Sequence, residues 1–151
     1  MTQDPNYFME LAYHEATLAG KNGDVPVGAI IVKDGNIIAK AYNATITKND
    51  PSAHAEVEAI RIACNEISNY RLSGAQLFVT LEPCMMCYGT IIHSRISKIY
   101  FGAYDKKTGV CGSCFDASKI NCFNQSPEIT GGILEKKCSK ILKDFFKSKR
   151  S

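Results

Sequence analysis

Two short segments limit what this chain can fold into: His54-Ala55-Glu56 and Pro83-Cys84-Met85-Met86-Cys87. Cysteines at i and i+3 of a helix lie on one face, so the sulfurs of Cys84 and Cys87 can reach a single ion. Pro83 is suited to open that helix. The positive end of a helix dipole favours thiolate over thiol, and a zinc ligand must be a thiolate. His54 falls at the start of an earlier predicted helix, so a fold that serves both segments brings two helix starts together. A CxxC alone is a moderate signal; joined to an upstream HxE at another helix start, it is a strong one.

The chemistry of that combination is a catalytic zinc rather than a structural one. His54, Cys84 and Cys87 supply three ligands and leave a fourth position for water. Zinc lowers the pKa of bound water to about 7, which makes hydroxide available at neutral pH. Glu56 lies two residues from a ligand and, in the first turn of its helix, can overhang the open position. There it can take a proton from water and hand it to a leaving group. Hydrolytic deamination of a ring amine follows this logic, and the residue pattern is that of the zinc deaminases.

Taken singly, His54 reads as an ordinary histidine, and Met86 and Cys87 as core filler. A sharper rival pairs Cys84 and Cys87 with Cys111 and Cys114 in a four-cysteine structural zinc, which would make the protein a non-catalytic binding module. Against this, a helix and a strand are expected between the two pairs, and a chain of 151 residues needs no staple. Cys64 and Cys138 read as core positions and Cys122 as a loop thiol.

No repeat or low-complexity stretch divides the chain, and residues 1–151 read as a single domain. Asp4-Pro5 is a helix start, followed by Phe8, Leu11, Ala12, Leu18 and Ala19 at helical spacing until Gly20 and Gly23. Val25–Val32 and Ile37–Ala41 read as strands joined through Asp34-Gly35, a hairpin signal. Asp50-Pro51-Ser52 is expected to open a second helix running to about Ile67. Leu77–Leu81 reads as a strand, Cys84–His93 as a third helix and Ile96–Gly102 as a strand. Residues 104–128 look loop-rich, and a last helix is expected over about 133–148. Strands alternating with helices imply an α/β fold in which helices cover a mixed sheet.

The formal net charge of +3 is unevenly placed. Residues 135–151 carry seven basic side chains against Glu135 and Asp144, a net +5, which leaves the preceding residues at −2. The expected last helix thus buries one face and offers a basic face to phosphates, a solvated face being the plain alternative. Apolar runs are far too short for a membrane span. The N-terminal segment has no basic stretch leading into an apolar one, and seven cysteines is an odd count, so a reducing cytoplasmic setting is expected.

The chain resembles the tRNA adenosine deaminases of the cytidine deaminase-like superfamily. The likeness lies in Pro26-Val27-Gly28-Ala29, Asn49-Asp50-Pro51-Ser52-Ala53-His54-Ala55-Glu56, Asn69-Tyr70-Arg71-Leu72 and Thr80-Leu81-Glu82-Pro83-Cys84. It continues through His93-Ser94-Arg95-Ile96, Phe101-Gly102-Ala103, Lys107-Thr108-Gly109, Glu128-Ile129-Thr130 and Asp144-Phe145-Phe146. The resemblance implies a three-layer α/β/α fold and one zinc per subunit, held by His54, Cys84 and Cys87. Glu56 would be the proton carrier in converting the wobble adenosine of a tRNA anticodon to inosine. It also implies that Asn43 contacts the base, that the Ala55 N–H faces the oxygen formed at C6, and that Asp105, Lys107 and Phe145 line the path of the anticodon loop. An arginine tRNA as substrate and a homodimer belong to the same implication. Asn124-Gln125 departs from the Asn-His of many relatives. A free-base deaminase, such as a guanine deaminase, would show the same zinc signature.

Overall fold

In the computed structural model, which describes residues 4–122 and 126–150, the elements run α1 (Pro5–Lys21), β1 (Gly28–Lys33), β2 (Asn36–Tyr42), α2 (Thr45–Lys48), α3 (Ala55–Ile67), β3 (Gln76–Leu81), α4 (Met85–Ser94), β4 (Lys98–Ala103), β5 (Glu128–Thr130) and α5 (Glu135–Arg150). Alternation along the strands sorts the apolar side chains onto two faces of one sheet. Ala29, Ile31, Leu77, Val79, Ile99 and Phe101 share a core with Ala59, Ile60, Ile91 and Ile92 of α3 and α4. Ile30, Val32 and Phe78 face the other way, against Phe8, Met9 and Ala12 of α1 and Cys138 of α5. Helices therefore cover both faces, as the three-layer expectation required.

The sheet order is β2-β1-β3-β4-β5. β1 is antiparallel to both β2 and β3, whereas β3, β4 and β5 are parallel. This mixture fixes where a site can form. The end of β2, the start of β1 and the ends of β3 and β4 all open onto one edge of the sheet, the edge where α/β folds place ligands.

Local signals explain most of the boundaries. The Asp4 side chain accepts from the Asn6 N–H, and Pro5 takes the first helical position of α1. Asp34 and Gly35 both have positive φ, the conformation of a two-residue hairpin turn. Gly28 has no room for a side chain, since a Cβ there would overlap the Ala12 carbonyl oxygen, so α1 crosses β1 at near-backbone contact. A Cβ at Gly102 would likewise overlap the Cys138 side chain of α5.

Several expected boundaries differ. β1 begins at Gly28 rather than Val25, and β4 at Lys98 rather than Ile96. Gly20 lies inside α1, which ends at Lys21 just before the left-handed Gly23. Asp50 does not open α3. Its carboxylate accepts from the Ser52 N–H and hydroxyl in a separate turn, and α3 begins at Ala55. α5 starts at Glu135 because Leu134 has φ 54°, which no helix residue can adopt. β5 begins at Glu128, the last residue of the stretch read as loop-rich, and neither β5 nor α2 has a counterpart in the sequence-based reading. Asn124-Gln125 lies outside the described residues.

α2 shows how a remote residue can start a helix. Its N-cap, Ala44, has no side-chain acceptor, and Asp24 supplies one from across the fold. The buried carboxylate accepts from Ile46 N at 2.8 Å, from Thr47 N at 3.4 Å and from the hydroxyls of Thr45 and Thr47. Burial alone would raise its pKa, but these donors outweigh burial and hold the carboxyl below the usual value. Asp24→Asn should therefore lower stability by about 1–3 kcal/mol near neutral pH. A group whose folded pKa is depressed contributes stability that is lost as pH falls through that value. In urea titrations the gap between wild type and variant should close below about pH 4; a constant gap at every pH would remove Asp24 from this role.

Candidate metal centre and cleft

α3 and α4 start at the same sheet edge, and the residue before each is a metal-ligand type: His54 before α3 and Cys84 before α4. Neither side chain caps its own helix. Both turn toward Cys87, one turn into α4. His54 Nδ1 lies 3.7 Å from Cys84 Sγ and 3.5 Å from Cys87 Sγ, and all three donor atoms fall within 4.8 Å of one another. Tetrahedral zinc with Zn–S near 2.3 Å and Zn–N near 2.05 Å holds sulfur and nitrogen about 3.6 Å apart, so the spacing and the donor set both fit zinc.

The electrostatics point the same way. A hydrogen bond from Cys87 and another from the His54 ring, working against burial, bring the Cys84 thiol down to about 4. The Cys87 thiol is driven up by the neighbouring Cys84 sulfur and by burial. A zinc ion would require both sulfurs as thiolates, and its charge would offset the repulsion between them. Glu56 is buried beside them. Burial first, and then the charge on Cys84, push its carboxyl up to about 7, while the Glu56 backbone N–H, His54 and Cys87 draw it down.

His54 and Cys84 open onto a cleft of 710 Å³ that is also lined by Asn43, Glu56 and Asp105-Lys106-Lys107-Thr108, with Cys87 buried behind them. Asn43 follows β2, as expected. Its Oδ1 accepts the Ala55 N–H at 2.8 Å, so the start of α3 is capped by a residue twelve positions earlier. That bond already engages the Ala55 N–H, which the family resemblance had aimed at the oxygen formed at C6. Asp105 lines the cleft, yet its carboxylate accepts from the Lys107 and Thr108 amides and the Thr108 hydroxyl, which shapes the turn around it. Lys107 is exposed at the rim.

Phe145 is not among the lining residues. The cleft-facing stripe of α5 is Leu142, Phe146 and Arg150, at i, i+4 and i+8. Phe145 lies one step round the helix, edge-to-face with Phe146 and beneath Lys149. The helical spacing of 142, 146 and 150 was available in the sequence but had no visible target until the cleft was formed.

Cys111 and Cys114 stand outside the metal-binding group. Burial and the charge of Glu82 push the Cys111 thiol up to about 12, away from the thiolate a metal needs. Cys138 is buried, Cys64 packs on the core and Cys122 is exposed, all as expected. No helix among the described residues is long and apolar enough to cross a membrane.

Comparison with known proteins agrees with this geometry. Residues 2–103 match the cytidine and deoxycytidylate deaminase zinc-binding region. A tRNA-specific adenosine deaminase from Bacillus subtilis is 43% identical over 99% of this chain and 92% of its own length. A solved structure from a study of A-to-I editing by tRNA:A34 deaminases at the wobble position superposes with a TM-score of 0.88 at 43% identity, covering 90% of this chain and 99% of that one. Guanine deaminase from Bacillus subtilis is 40% identical, but covers 68% of this chain and 66% of its own, with a TM-score of 0.65.

The ligand assignment makes opposite demands on two pairs of variants. The purified protein should carry one zinc per chain by atomic emission, His54→Ala and Cys84→Ser should lose it, and Cys111→Ser with Cys114→Ser should keep it. Metal lost from the second pair and kept by His54→Ala would establish the four-cysteine structural zinc instead.

Proposed function

The chain belongs to the tRNA-specific adenosine deaminases, and on that premise we propose that it hydrolyses the wobble adenosine of a tRNA anticodon to inosine, releasing ammonia. The observation that supports this most is the placement of Glu56 beside the His54–Cys84–Cys87 triad at the floor of a cleft whose rim carries Lys106, Lys107 and Arg150. Zinc in that triad supplies the Lewis acidity that makes water a competent nucleophile at neutral pH.

The rest is done by this chain's own side chains. Glu56 takes a proton from the attacking water and delivers it to N1 of the ring as the oxygen adds at C6. It then takes the remaining proton from the hydroxyl now on C6 and passes it to the amino group, so that the C6–N bond breaks, the C6 carbonyl forms, and inosine and ammonia leave. A carboxyl held near 7 by burial is suited to both halves of that transfer. Asn43 orients the base: with its Oδ1 fixed by the Ala55 amide, its NH₂ is the group offered to an acceptor on the ring. An unpaired anticodon loop suits a site that must receive an extruded base.

Outside the cleft, α5 carries further basic side chains. Lys136, Lys140, Lys143 and Lys147 recur at spacings of four and three, forming one exposed stripe beside Leu142, Phe146 and Arg150. Lys140 is paired with Asp144, and the stripe lies to one side of the cleft rim, where it suits RNA phosphates beyond the flipped nucleotide. Asp105, Lys107 and the neighbourhood of Phe145 belong to the same path. On the family resemblance, the substrate is an arginine tRNA, the enzyme is a homodimer and it works in the cytoplasm.

Incubation of the zinc-loaded protein with total tRNA, followed by nucleoside mass spectrometry, should yield inosine. Glu56→Ala should bind zinc normally and form none. Inosine production by Glu56→Ala would remove Glu56 from the proton transfers. Conversion of free guanine to xanthine, with tRNA left unmodified, would assign the free-base chemistry of the guanine deaminase neighbour.

A further inference from the structure

We infer that Glu82 is a positioning residue that holds the RNA-facing wall of the cleft in register with the metal centre, an inference that rests on the tRNA reading. Glu82 stands directly after β3 and two residues before Cys84. It is 2% exposed, and among the described residues no ion pair reaches it. A buried carboxylate without a cation is costly unless donors converge on it. Here four do. Oε1 accepts from the Asp105 N–H at 3.0 Å and from the Ser113 hydroxyl, while Oε2 accepts from Cys111 N at 2.9 Å and Ser113 N at 3.1 Å.

All four donors belong to the loop between β4 and the 3₁₀ turn Ala117–Lys119. That loop supplies Tyr104, Asp105, Lys106, Lys107 and Thr108 to the cleft. Gly109 is what lets the carboxylate in, since a Cβ there would overlap Glu82 Cδ. The neighbouring backbone adds two further ties: Glu82 N donates to Ala103 O at 2.9 Å, and Val110 N donates to Pro83 O at 3.0 Å. One residue thus joins the strand end that leads into Cys84 and Cys87 to the loop that carries the cationic rim. An apolar side chain in its place would strand three part-buried amides, and an amide side chain would turn an NH₂ group toward N–H groups. The distance from rim to metal, which a bound nucleotide must span, is therefore set through Glu82.

The test uses full-length zinc-loaded protein, an anticodon stem–loop RNA as substrate, and hydrogen exchange. Glu82→Gln should raise KM by about tenfold while kcat stays within about threefold of wild type. Zinc should remain at one per chain. Exchange at the Asp105, Cys111 and Ser113 amides should speed up, with β3 and β4 amides unchanged. Ser113→Ala, which leaves Glu82 in place and removes one donor, should raise KM by about threefold. A fall in kcat at unchanged KM, or unaltered exchange at the three amides, would overturn the assignment. If Glu82→Gln loses protection across the whole sheet, Ser113→Ala decides: an unchanged KM overturns it. A wild-type enzyme that forms no inosine defeats the tRNA reading instead, and amide exchange then decides the loop-holding role alone.

Discussion

The structure depends on two helix starts that do not cap themselves. His54 and Cys84 occupy the N-cap positions of α3 and α4, where a side chain ordinarily satisfies the first backbone N–H groups. Here both side chains turn to a shared metal position. The cap of α3 comes from elsewhere, with Asn43 accepting the Ala55 amide. The bond that completes the helix therefore also fixes the side chain placed to orient the base. Metal ligation, helix initiation and substrate placement are coupled within a few residues at one sheet edge.

The sheet makes that edge possible. Because β1 runs against β2 and β3 while β3 and β4 run together, the end of β2 and the ends of β3 and β4 meet at the same rim. Two buried carboxylates then hold the walls. Asp24 anchors the short helix α2 on one side through the Ile46 and Thr47 amides, and Glu82 anchors the 105–113 loop on the other. Each is satisfied by backbone amides and hydroxyls rather than by a cation, so each fixes the course of the chain and not just a side-chain contact.

Much of this was legible in the residues. Alternating apolar patterns, the Asp4-Pro5 start and the Asp34-Gly35 turn are local signals, and the elements they mark are present. The ligand triad was legible because zinc chemistry demands a particular set at helix starts. What escaped the sequence is non-local. β5 is three residues long and exists through pairing with β4, and α2 is begun by a carboxylate twenty-two residues before Ile46. The start of α3 was misplaced because Asp50-Pro51-Ser52 carries a capping pattern that is used in a separate turn. Phe145 and Phe146 are adjacent in sequence, and only the phase of α5 against the cleft distinguishes them. Glu82 carried no signal of its own, since a lone glutamate beside a CxxC does not announce which amides will surround it.

The central claim is that one zinc is bound by two sulfurs and one imidazole, with a position left for water. X-ray absorption at the zinc edge on the purified protein tests this most directly. The account predicts two sulfur scatterers near 2.3 Å and two nitrogen or oxygen scatterers near 2.0 Å. A shell of four sulfurs would contradict it, because Cys111 and Cys114 would then complete a closed structural site with no place for the reaction.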